Sequence, residues 1–130
     1  MTLPVKPGNP LDRFAIGLSA LCAIHCVATV LLLGALSSFG YLFASPIIHE
    51  AGLALAIVIG AVALGAGLRR HRFVWPSVLG FAGLGLMAVA LTLDHGAGEA
   101  VVTIAGVGLV AFAHLLNMRA DCRCGEEFCG

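Results

Sequence analysis

From Phe14 to His49 the chain contains no Asp, Glu, Lys or Arg. Charged residues make up only 11% of the 130 positions, where soluble domains run at about 25%. That deficit excludes an ordinary soluble core, and so does the surplus on the other side: 60% hydrophobic residues and a mean hydropathy of +1.04. There is no excess of either charge sign, since seven basic and seven acidic residues cancel to a net charge of +0. Without a basic surplus the chain lacks the electrostatic footprint of a nucleic-acid binder. No segment alternates apolar and polar residues over about ten positions, as a transmembrane β-strand would. Nor is there a Cys-x-x-Cys pair of the kind used by thiol redox proteins.

What remains is a set of long apolar runs, read here as four membrane spans at about 14–38, 47–68, 73–93 and 100–118, followed by a cysteine-rich tail over 119–130. Backbone groups in lipid must be paired within the segment, so the expected fold is all-α: a single-domain four-helix transmembrane bundle covering 1–130. The first run is too long for the apolar core of a cleaved signal, about 7–15 residues, and is expected to be retained. Ser45-Pro46 has the form of an N-cap followed by Pro at the first helical position. Trp75 stands where an interfacial aromatic is expected. Glycines recur in the second, third and fourth spans and suit close helix packing.

Two of the three connecting loops lack Lys and Arg altogether. All seven basic residues (Lys6, Arg13, Arg69, Arg70, Arg72, Arg119 and Arg123) therefore fall on one side of a four-span chain, which the positive-inside rule makes cytoplasmic. Both termini are expected in the cytosol, with His49, Glu50, Asp94, His95 and Glu99 facing outward.

Against this apolar background the polar side chains stand out. Cys22, His25 and Cys26 occupy one turn of the first span, at membrane depth, where metal-binding groups are costly to place and mark functional sites. At i and i+4 the two cysteines have Cβ atoms about 5–6 Å apart on one helix face. Two thiolates suit soft ions and also neutralise a divalent cation in a low-dielectric site; an imidazole donor extends the range to zinc or copper. The alternative is that intramembrane Cys serves only as a small hydrophobe, but a His in the same turn must find a partner. A second group of thiols, Cys122, Cys124 and Cys129, sits in the tail on the reducing side and reads as free thiols able to receive a metal. His71, in Arg69-Arg70-His71-Arg72, reads as part of a solvated basic cluster binding lipid head groups. His114, with Asn117 three residues on, is expected to face the bundle interior. The pairs His49-Glu50 and Asp94-His95 read equally as cation collectors or as an exposed polar cap.

Three function classes follow from these residues. The first is a carrier, not an enzyme, that relays a metal ion through successive thiol sites. The second is a metal- or haem-binding sensor using His25, His49, His95 and His114. The third is a membrane dithiol redox protein, disfavoured because helical i,i+4 cysteines are strained as a disulfide.

The Ser19-Ala20 helix with its cysteine pair, the four spans, the His71-Arg72 loop and the Cys124-Gly-Glu-Glu-Phe-Cys129 end resemble the MerC mercury-resistance family of bacterial inner-membrane proteins, over most of the chain. The resemblance implies uptake of mercuric ion across the inner membrane, from Cys22 and Cys26 to Cys122, Cys124 and Cys129, and on to a cytosolic mercuric reductase or other thiol acceptor. No firm cofactor is expected beyond a transported or bound soft metal ion, and the expected partners are the bilayer, that ion and the thiol acceptor, with self-association a further expectation for so thin a bundle. Members of that family space the first-helix pair as Cys-x2-Cys, whereas here the mate of Cys26 is Cys22 and His25 lies between them. A set that includes His25 is less purely thiolate, which widens the expected cargo beyond mercury.

Overall fold

The computed structural model describes residues 10–35, 45–94 and 96–126, with side chains as far as Leu31 in the first helix and Asp121 in the last. Four helices account for nearly all of these residues: α1 Pro10–Ala35, α2 Pro46–His71, α3 Trp75–Ala90 and α4 Ala97–Glu126. Among the described residues there is no strand. The helices start where the sequence chemistry favours it. Pro10 opens α1 with Asp12 in its first turn, where a carboxylate meets the positive end of the helix dipole. Ser45 precedes Pro46 at the head of α2 in extended conformation, although its side chain makes no capping hydrogen bond. Arg69, Arg70 and His71 close α2, where positive charge is favoured. Arg72 then takes a left-handed conformation (φ 54°) and its N–H donates to the Leu68 carbonyl, so that α3 follows after a very short turn.

α1, α2 and α4 are long and apolar enough to cross a membrane. α3 differs from the expected 73–93 span. Its 16 helical residues rise about 24 Å at 1.5 Å each, short of an apolar core of about 30 Å. Phe73 and Val74 before it and Leu91 and Leu93 after it are apolar but not helical, and these turns supply the rest of the run. At the other extreme, α4 continues to Glu126, so positions 119–126, read as tail, extend the last helix.

The order of the helices across the bundle follows from their contacts. α4 packs against all three others and α3–α4 is the most extensive pair, with α1–α4 next and α1–α2 much slighter. Glycine decides the α3–α4 crossing. A Cβ on Gly83 would come within 2.6 Å of the Gly106 carbonyl oxygen, and one on Gly106 within 2.8 Å of the Gly83 oxygen. The two backbones therefore touch directly, the close approach that small residues permit in lipid. Leu53, Leu84, Met87, Val107 and Val110 form the core beside this crossing. On the outside Leu21, Ile24, Leu31, Val58, Phe81 and Val101 are each more than 60% exposed, an apolar surface suited to acyl chains.

Polar pairs fix which ends lie together. Arg70 at the end of α2 binds Asp121 near the end of α4 through two bonds, Nε to Oδ1 at 3.1 Å and Nη2 to Oδ2 at 2.7 Å. Asp12 at the start of α1 meets His114 and Asn117 of α4. At the opposite end His49 of α2 approaches Glu99 of α4. Arg13, the arginines of the α2–α3 turn and Arg119 thus share one end of the bundle, and α3 carries the chain from that end to the other.

Candidate functional site

Two polar clusters interrupt the apolar interior. The first surrounds the cysteines. Cys26 is buried and Cys22 half-buried, both as free thiols on the inward side of α1. The sulfur of Cys26 lies 3.8 Å from His49 Nε2, and the same nitrogen lies 3.7 Å from Glu99 Oε1. The His25 and His49 rings meet edge to face at a centroid distance of 5.3 Å. Thr29, one turn beyond His25, returns its hydroxyl to the His25 carbonyl at 2.8 Å. Cys22, His25, Cys26, His49, Gly52 and Thr103 all border one cavity of about 280 Å³. It lies between α1 and α2, and Gly52 in its α2 wall faces Cys22, where a Cβ would make ordinary van der Waals contact with the sulfur at 3.9 Å.

The expected grouping of Cys22, His25 and Cys26 is therefore present as a shared cavity wall. Among the described residues, however, no three His, Cys, Asp or Glu side chains stand close enough together to hold a metal ion as they are. Closing on an ion requires side-chain rotation. Metal–sulfur bonds are about 2.3 Å for zinc, so one ion spans sulfurs up to about 4.6 Å apart, within reach of Cβ atoms about 5–6 Å apart on one helix face.

The second cluster lies nearer the basic end. Asp12, His114 and Asn117 are each 0% exposed. A carboxylate only accepts, so His114 Nδ1–H donates to Asp12 Oδ1 at 2.6 Å, while Asn117 Nδ2 donates to Oδ1 at 3.1 Å and to Oδ2 at 3.0 Å. Asn117 Oδ1 in turn accepts from His71 Nε2 at 3.0 Å. The Phe73 N–H donates to His71 Nδ1 at 3.0 Å, which fixes the tautomer of His71 consistently along the whole chain of bonds. Gly67 makes the cluster possible, because a methyl group there would overlap the Asn117 amide.

This arrangement corrects one expectation and completes another. His71 is not a solvated head-group ligand: as the last residue of α2 it continues the face of Ala63 and Gly67 that meets Asn117, and there it is half-buried and bonded to Asn117. His114 faces the interior as expected, with Asn117 on the same side. Sequence reasoning missed Asp12, placed outside the first span, and left Glu99 in an outer loop although it is buried in the first turn of α4. The signal for Asp12 was its level: in a four-span chain the start of the first helix and the His114-x-x-Asn117 end of the last fall at the same end of the bundle. His49 joins the cysteine cavity while Glu50 and Asp94 are exposed. His95, Cys129 and the side chains of Cys122 and Cys124 lie outside the described residues.

A helical bundle with three helices long and apolar enough to span a membrane, and with thiols and imidazoles bordering one cavity, is the architecture of a small integral-membrane protein. Residues 12–119 match the family model described as MerC mercury resistance protein, and the chain belongs to that family. Neither the curated proteins nor the solved structures include a match to it. The family places the protein in mercury resistance and membrane transport.

Proposed function

We infer that the protein carries a soft metal ion, mercuric ion foremost, across the bacterial inner membrane by exchanging it between ligands, with Cys22 and Cys26 as the intramembrane capture pair. The observation that carries this reading is the common cavity: two thiols of one helical turn and two imidazoles, His25 and His49, border the same 280 Å³ space. Two thiolates cancel the charge of a divalent cation and release their protons as it binds, so the ion can rest in a medium that would reject it bare. Glu99, beside His49 near the end away from the arginines, adds negative charge where an entering cation first meets the cluster. By the distribution of basic residues that end faces outward and both termini lie in the cytosol. Cys122 and Cys124, near the end of α4, together with Cys129, then receive the ion and pass it to a cytosolic thiol acceptor such as mercuric reductase. No covalent bond of a substrate is made or broken, so the protein acts as a carrier rather than a catalyst.

The test is mercury uptake by cells producing Cys22→Ser or Cys26→Ser protein at parental levels. Each change leaves one thiolate, and uptake is expected to fall at least about ten-fold, the equivalent of 1.4 kcal/mol or more. His25→Ala should spare mercury more than zinc, which prefers four donors. Parental uptake by both serine variants would refute the reading. An absorption spectrum of the purified protein with a haem band would replace it with the histidine-centred sensor.

A further inference from the structure

Within the buried set around Asp12, one atom is left over. His114 Nε2 has no hydrogen-bond partner among the described residues, although the side chain is fully buried. Its lone pair is defined by the other nitrogen, because Nδ1 gives its proton to Asp12. A carboxylate behind one imidazole nitrogen, with the other nitrogen free, is the arrangement in which proteins present histidine to metals. The free side is not sealed. His114 borders a second, smaller cavity of about 10 Å³ together with Ser19, Cys22 and Met87, which is room for about one water. Cys22 and Met87 border the large cavity as well. Cys22, itself one of the capture pair, and the Met87 thioether thus border both the large cavity and the small one that His114 lines. Asp12, Ser19 and Cys22 follow one side of α1, and Asp12 and Cys22 are about 15 Å apart along its axis at 1.5 Å per residue. His114 therefore sits inward of the cysteines, on the way to the basic end.

The geometry points to His114 Nε2, held by Asp12, as an intermediate ligand that takes the soft cation from Cys26 while Cys22 keeps hold of it. This rests on the carrier reading above. In the step, the bond from the ion to the Cys26 sulfur breaks, the sulfur keeping the electron pair as a thiolate beside His49 Nε2 at 3.8 Å, and a bond from the His114 Nε2 lone pair to the ion forms; no oxidation state changes and the Cys22 bond persists. Replacing a thiolate by a neutral imidazole leaves the bound centre one unit more positive, and the Asp12 carboxylate lies directly behind the ring to offset that charge. Asn117 holds both Asp12 oxygens, so the ring cannot swing out of line. From this position the next donors toward the basic end lie beyond Asn117 and His71.

The experiment uses the full-length chain in lipid vesicles and mercuric ion as the probe. With glutathione enclosed, His114→Gln should still capture one mercuric ion per chain on the cysteine pair but should deliver it to the enclosed thiol at least ten-fold more slowly. The Cys26→Ser chain, which keeps the Asp12–His114–Asn117 set intact, provides a measurement that does not depend on substituting His114. One equivalent of mercuric ion should move its assigned His114 Nε2 nitrogen resonance, and the same ion should leave that resonance unmoved once Cys22 is also serine. Parental delivery by His114→Gln, or an unmoved His114 resonance in Cys26→Ser, would overturn the assignment while the carrier reading stands. Failure of the parent itself to capture mercury through Cys22 and Cys26 would instead overturn the carrier reading.

Discussion

Asp12→Ala probes the buried set most directly. Asp12 accepts three hydrogen bonds from two side chains, His114 and Asn117, and all three residues are out of contact with solvent. Removing the acceptor orphans two donor groups, and each buried orphan costs about 1–3 kcal/mol. Asn117 Nδ2 keeps a long contact with the Ala63 carbonyl at 3.4 Å, which places its share near the lower end. His114 Nδ1 loses its short charge-assisted bond and lies at the upper end. The sum is a loss of about 3–4 kcal/mol, in line with breaking a buried charged pair from one side, about 3–5 kcal/mol. The measurement is reversible unfolding in mixed micelles as the fraction of denaturing detergent rises. Asp12→Asn keeps one acceptor oxygen for His114 but turns an amide NH2 towards the Asn117 NH2, and should cost about half as much by the same reckoning. A loss below about 0.5 kcal/mol for Asp12→Ala, the range of an ordinary surface change, would refute the claim that these three residues form one satisfied unit.

Two further outcomes follow from the fold. Gly106→Val drives a branched side chain against the Gly83 carbonyl and Met87, whose Cγ already stands 2.8 Å from a bare Cβ position. The α3–α4 crossing must open, and the same unfolding measurement should show a loss of about 1–3 kcal/mol, whereas Gly85→Ala, which meets nothing within 4 Å, should be neutral or slightly stabilising. For orientation, a membrane-impermeant thiol reagent added to intact cells should label Ala97→Cys, at the start of α4 away from the arginines, and should miss Cys122, Cys124 and Cys129; labelling of those native cysteines from outside would invert the assignment of sides.

The amino-acid sequence by itself determined the class of fold and the placing of Cys22 and Cys26 together on one helix. A stretch without charge from Phe14 to His49, and apolar runs of spanning length, leave helices as the one way to pair backbone groups in lipid, and the helical period alone puts Cys22 and Cys26 on one face. These are local properties, set by neighbours a turn away. The pattern of basic residues was also legible, and among the described residues Arg13, Arg69, Arg70, Arg72 and Arg119 lie at one end of the bundle. Tertiary structure decided what local pattern could not. His49 and Glu99 reach the cysteine region only because the starts of α2 and α4 meet there, and the length of α3 was overread because apolar residues in the flanking turns look the same as apolar residues in a helix. Asp12, which precedes the first apolar run, is buried because Gly67 gives Asn117 room and because α4 brings His114 to the same level. Hydrogen bonds between residues 102 and 105 positions apart in sequence have no local signature, since each partner taken alone is an ordinary polar residue near a helix end and only packing makes it part of a buried set.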